Sequence, residues 1–123
     1  MSGRARVWYF PDGYLPEKVA DSPMEAHEAL MILNTSGSPA QVTLDFYFED
    51  RDPIKGIAVD VGAERIRTLR IDHPEEIGGV AISHLTQYSI RLTSDIPVVA
   101  QFGRVDTTQN NLAYYGAPAI SEP

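Results

Sequence analysis

An imidazole beside a carboxylate is the unit from which general bases and zinc sites are built, and His27-Glu28 is such a pair. On a strand, neighbouring side chains leave on opposite faces, so these two cannot close together on one ion or one substrate. The other histidines, His73 and His84, fall in segments that read as loops, and no His-x-His or His-Glu-x-x-His spacing occurs. Serines such as Ser36, Ser38, Ser83, Ser89 and Ser94 lie in no Gly-x-Ser-x-Gly or Ser-x-x-Lys context that activates a hydroxyl. The carboxylate pairs Asp50/Asp52 and Glu75/Glu76 sit beside Pro or Arg, where solvated turns are the ordinary outcome. Gly62 and Gly78-Gly79 lack the companions of a phosphate loop. No catalytic residue, metal site or cofactor is therefore expected.

Two further sets of side chains point to binding. Arg65 and Arg67 share a face if their segment is a regular strand, and Arg70 joins them if a bulge intervenes; cross-strand pairing with carboxylates is the simpler expectation for all three. Trp8, Tyr14, Tyr88 and Tyr114 combine apolar area with a polar edge, which suits stacking on a sugar as well as core packing. Ten Lys and Arg against 17 Asp and Glu give a formal charge of −7, so a phosphate backbone is repelled overall and nucleic acid is not the expected partner. Cysteine is absent, which removes disulfides, thiolate zinc sites, iron–sulfur clusters and Cys nucleophiles together. The longest apolar run, Ala29 to Leu33, is too short for a membrane span or a signal-peptide core, so a cytoplasmic protein without membrane insertion is expected.

These side chains have to be positioned by strands, because the apolar spacing is two almost everywhere and no stripe at helical spacing persists. Arg6 to Phe10 reads as a strand closed by the turn Pro11-Asp12-Gly13. Glu25 to Asn34 is apolar on both faces in its second half, as a central strand is. After the turn Ser36-Gly37-Ser38-Pro39, Val42, Leu44, Phe46 and Phe48 alternate with polar residues. Ile57, Val59 and Val61 form the next inward row, ended by Gly62. Ile66, Leu69 and Ile71 shift phase once, which predicts a bulge or a change of face. Asp72 to Ser83 is irregular, with at most one helical turn at Pro74-Glu75-Glu76-Ile77. Tyr88 to Leu92 and Pro97 to Asp106 read as two strands separated by a turn at Ser94-Asp95. In the tail, Leu112, Tyr114 and Tyr115 can dock as an edge strand or on another subunit, and residues 117–123 are expected to fray. At 123 residues this is a single domain, an all-β, two-sheet antiparallel sandwich of about seven or eight short strands, with a small closed barrel as the alternative.

Trp8, Gly13-Tyr14-x-Pro16, His27-Glu28, Ile32-Leu33-Asn34, Arg51-Asp52-Pro53, Ser94-Asp95-x-Pro97-Val98-Val99-x-Gln101 and Arg104-x-Asp106 run in an order that resembles the sensory rhodopsin transducer family over nearly the whole chain. Ala26 stands before the His27-Glu28 pair where the family pattern carries Ser. The resemblance implies a β-sandwich that assembles as a homotetramer, and a cytoplasmic protein that passes a signal from a microbial rhodopsin or another membrane receptor. It also implies a wider ligand-binding role, with sugars suggested by fold analogy. Carried over residue by residue, the ligand or interface candidates are Trp8, Tyr14, His27, Glu28, Asn34, Arg104 and Asp106. If the strands around residues 27 and 104 are neighbours, Glu28 and Arg104 make a charge-assisted pair, with Asn34 and Asp106 adding polar contacts. The leading expectation is a non-enzymatic homo-oligomeric transducer; the alternative is a small-molecule module of the carbohydrate-binding kind.

Overall fold

The computed structural model describes residues 4–14, 27–83, 85–106, 113–117 and 120–122. Eight strands follow in chain order: β1 (Ala5–Tyr14), β2 (His27–Asn34), β3 (Ala40–Phe48), β4 (Ile54–Val61), β5 (Arg65–Arg70), β6 (Gln87–Asp106), β7 (Ala113–Ala117) and β8 (Ile120–Glu122). Every pairing is antiparallel. One layer has the order β4-β3-β6-β1-β8, and the other is β5-β2-β6-β7, so neither closes into a barrel and the molecule is a sandwich. Between them Leu30, Ile32, Leu44, Phe46, Leu69, Leu92, Val98 and Phe102 are buried. Phe10, Phe102, Tyr88 and Phe46 form a chain of tilted and edge-on rings with centroids 5.9 to 6.4 Å apart.

The two layers share β6. Its first part pairs with β3 as far as Ser94 and with β1, and from Val99 onward it pairs with β2. The expected turn at Ser94-Asp95 is thus not a reversal but the corner at which one 20-residue strand leaves one sheet for the other. The signals coincide for a physical reason: Asp95, Ile96 and Pro97 have no ladder partner among the described residues, and a proline without an N–H suits such a gap as well as it suits a turn. Asp95 accepts the Gln41 N–H at 2.8 Å. The Trp8 indole donates to the carbonyls of Ala5 (3.2 Å) and Val98 (3.0 Å), which holds β1 against the corner.

Pro11-Asp12-Gly13 likewise does not end β1. The strand runs on to Tyr14 with one extra residue between the pairs Phe10–Ile90 and Gly13–Tyr88, a bulge whose Pro11 carbonyl accepts the Ser89 hydroxyl at 2.7 Å. The β2–β5 ladder is regular, so the phase shift after Ile66 is a change of face: Ile66 points outward and is 64% exposed, while Leu69 points inward. Arg70 consequently lies on the face opposite Arg65 and Arg67 and pairs with Asp72 through two bonds of 2.6 and 2.7 Å. Pro74–Glu76 is a single 3₁₀ turn. Leu112 lies outside the described residues, while β7 docks as an edge strand on β6. Ile120–Glu122, expected to fray, pairs with β1, and Tyr9 donates its hydroxyl to Glu122 at 2.6 Å.

Gly13 packs directly beneath the Tyr88 ring, where an added Cβ would stand 2.4 Å from a ring carbon. Because the ring is fixed at its hydroxyl end, Gly13→Ala is expected to destabilise the fold by ~1–3 kcal/mol, read as a lower urea midpoint; an unchanged midpoint would show the ring free to move aside.

Candidate functional site

Alternation along β2 sends Glu28, Leu30, Ile32 and Asn34 inward, and all four are fully buried. The row is therefore apolar in the middle and polar at each end. At the Glu28 end, the ladder places Glu28 opposite Arg104 on β6, so two charged side chains enter the sandwich together. Tyr88, from the first part of the same strand, reaches the pair from the other layer.

Glu28 is saturated with donors. Its Oε1 accepts the Tyr88 hydroxyl at 2.5 Å and the Tyr14 backbone N–H at 2.8 Å, and its Oε2 accepts Arg104 Nε at 2.7 Å. Arg104 also donates from Nη2 to the Asp12 carbonyl at 3.2 Å, and the Asp12 carboxylate stands 3.9 Å away. Burial pushes the Glu28 carboxyl up to about 7, against Tyr88, Arg104 and the Tyr14 N–H, which pull it down. Burial, followed by the adjoining Glu28 charge, raises the Tyr88 phenol well above its ordinary range. One carboxylate thus ties the end of β1, the start of β2 and both parts of β6 into one polar knot. Burial favours its protonated form and the three donors its charged form, and neither oxygen is open to a substrate.

A family model described as Anabaena sensory rhodopsin transducer matches residues 3–120. The chain belongs to that family. The crystal structure of Thermotoga maritima 1070 is 32% identical, with 96% of this chain and 95% of that chain covered and a TM-score of 0.82. The Anabaena sensory rhodopsin transducer is 25% identical, with 80% and 86% covered and a TM-score of 0.66. No curated protein matches.

In this member of the transducer family the residues singled out from the sequence separate into distinct places. Tyr14, Glu28 and Arg104 converge, Tyr14 through its main chain. Trp8 is a core residue at the strand corner. Asn34 lies at the far end of β2, about 20 Å from Glu28 by strand rise. There its amide donates to Ser38, Val61 and Gly62 carbonyls and accepts the Ser36 N–H, which closes the β2–β3 turn. The backbones of His27 and Asp106 pair with Val105 and Ala113, and their side chains lie outside the described residues. Tyr88, Asp12 and Gly13 complete the knot without having been singled out for it. The available signal was Tyr88 at the end of the inward row Tyr88, Ile90, Leu92, where a phenol meets whatever polar group closes the core.

Two smaller polar assemblies flank the sandwich. Asp45, buried on the outer side of β3, accepts Arg91 at 2.8 Å and the Gly56 N–H at 2.9 Å; burial raises its carboxyl, but these donors hold it below the ordinary value. His73, Glu75 and Glu76 bring possible ligand atoms within 4.8 Å of one another. Glu76 already accepts the Arg70 N–H at 3.1 Å and faces His73 Nδ1 at 2.7 Å, so it serves as a cap on β5.

Because the folded Glu28 holds its proton more tightly than an unfolded glutamate of 4.5, its contribution to stability is full below about 4.5 and falls as pH rises through about 7. The loss expected over that window is about 3 kcal/mol. Urea denaturation across it should show the decline in the native chain and a flatter profile in Glu28→Gln; parallel profiles would rule out Glu28 as its source.

Proposed function

We propose that this chain is a non-enzymatic signalling protein of the cytoplasm, a homotetramer that couples a membrane receptor, in the manner of a microbial rhodopsin, to a downstream target. The observation that carries the assembly is the outer face of the β5-β2-β6 layer. Met31, Leu33, Ile66 and Val99 gather there around Gln101, with Leu33 38% and Ile66 64% exposed. A contiguous apolar patch of this kind on an acidic protein is costly in water and suits a permanent interface between copies. The receptor role rests on family membership and on the rhodopsin transducer among the similar structures. The sealed Glu28 supports a non-enzymatic role, since a general base must reach its substrate. No helix among the described residues is long and apolar enough to cross a membrane.

A small polar ligand is the second reading. It is favoured by an open cleft of about 330 Å³ lined by Glu49, Asp50, Arg51, Leu85, Thr86 and Gln87, at the lower limit of ligand-site volumes. These residues supply hydrogen bonds for hydroxyls and no ring for stacking.

Sedimentation at micromolar concentration is expected to give a species near four times the monomer mass, and Leu33→Glu with Val99→Glu to give a folded monomer; a monomeric native chain would end the assembly proposal. For the second reading, calorimetry against a panel of sugars should register stoichiometric heat that Asp50→Ala abolishes, and uniform silence would leave the transducer reading alone.

A further inference from the structure

We propose that the open edge of β5 is a docking strand for an extended acidic segment of a partner protein, one in which carboxylates alternate with branched apolar side chains. The inference names a class of partner for the coupling role above and in that sense rests on it.

Hydrogen-bond direction along β5 supplies the first argument. The strand pairs only with β2 among the described residues. The Ile71 N–H returns toward β2, to the Glu28 carbonyl at 2.9 Å, whereas the Arg70 N–H turns away from β2 to Glu76 and the Arg70 carbonyl accepts the His73 N–H. In an antiparallel ladder without a register shift these directions alternate, so Leu69, Arg67 and Arg65 bond to β2. The N–H and C=O groups of Thr68 and Ile66 therefore point out of the sheet edge. Glu76 and His73 close the ladder at Arg70, and two open residues remain beside it.

Charge supplies the second. The sequence of β5, Arg-Ile-Arg-Thr-Leu-Arg, holds no acid within a chain of net charge −7. Arg65 rests on the Glu64 carbonyl at 3.1 Å and Arg67 on the Asp60 carbonyl at 2.8 Å; neither has a carboxylate partner among the described residues, and both are exposed. Arg65 Nη1 also donates to the Ala63 carbonyl at 3.5 Å; each planar guanidinium has five N–H donors, so these bonds leave most of them available. An incoming strand at this edge would set alternate side chains against Arg65 and Arg67 on one face and beside Ile66 on the other. Ile66, on the edge strand, is the rim of the apolar patch assigned above to the interface between copies, so the incoming side chains border that patch rather than occupy it. Carboxylates fit the first positions and branched apolar groups the second. Edge-to-edge pairing with another copy is disfavoured, because it would bring arginines together.

The test uses the full chain and the acetylated, amidated peptide Glu-Val-Glu-Val-Glu, followed by amide chemical shifts and calorimetry. Saturable binding is expected, with shifts centred on Ile66 and Thr68 and weakening as salt is added. Arg65→Glu with Arg67→Glu should lower affinity roughly tenfold. A peptide methylated on alternate amide nitrogens should lose binding on the unaltered protein, which keeps the test valid if the double variant does not fold. Absence of saturation, equal binding of the methylated peptide, or displacement of the peptide by a duplex oligonucleotide would each overturn the proposal. Sedimentation of the same samples reports the assembly state separately, so failure at this edge and failure of the oligomer reading are distinguishable.

Discussion

A carboxylate with no exposure to water has to be given donors on both oxygens, and meeting that requirement at Glu28 determines how this sandwich closes. Three donors come from three places in the chain: the end of β1, the start of β6 and its far end. None is local in sequence to Glu28. Moving any one of these elements would leave a buried charge short of a partner, so the knot fixes the approach of the two layers as firmly as the apolar core does. It also explains the bare Cα at Gly13. The bulge brings the β1 backbone close enough for the Tyr14 N–H to reach Glu28, and Tyr88, held at its hydroxyl, occupies the space a side chain would need.

The shared strand is the second constraint. Because β6 serves both layers, any strain at its corner is felt in both. The corner is held by the Trp8 indole on two carbonyls and by Asp95 on Gln41. The open sides of the layers are managed differently. On the edge strand β5 the charged residues Arg65 and Arg67 share the inward-facing side of the ladder with Leu69, an arrangement that discourages indiscriminate pairing while leaving a distinctive edge.

Electrostatics oppose one another across the pH scale. Glu28 is held with its proton more tightly than an exposed glutamate, whereas Asp45, Asp72 and Glu76, despite partial burial, sit below the ordinary value because Arg91 and Gly56, Arg70, and the Arg70 N–H with His73 favour their charged forms. The first group favours the fold at lower pH and the others at higher pH. The protonation of Glu28 is thereby coupled to the junction of β1, β2 and β6.

The sequence by itself determined the strand class, the alternation that buries Leu30, Ile32, Leu44 and Phe46, and the turn at Ser36 to Pro39, whereas the pairing of Glu28 with Arg104 was conditional on two strands being neighbours, which the structure decided. The strand class, the alternation and the turn follow from local chemistry: period-two patterning and turn residues. Tertiary structure alone decided that Ser94 to Pro97 is a corner and Pro11 to Gly13 a bulge, since a gap in a ladder and a chain reversal use the same residues. It alone separated Asn34 from Glu28, brought Tyr88 and the Tyr14 N–H onto one oxygen, and turned Arg70 away from Arg65 and Arg67. Register and sheet exchange are set by contacts between residues far apart in the chain, and no local pattern records those.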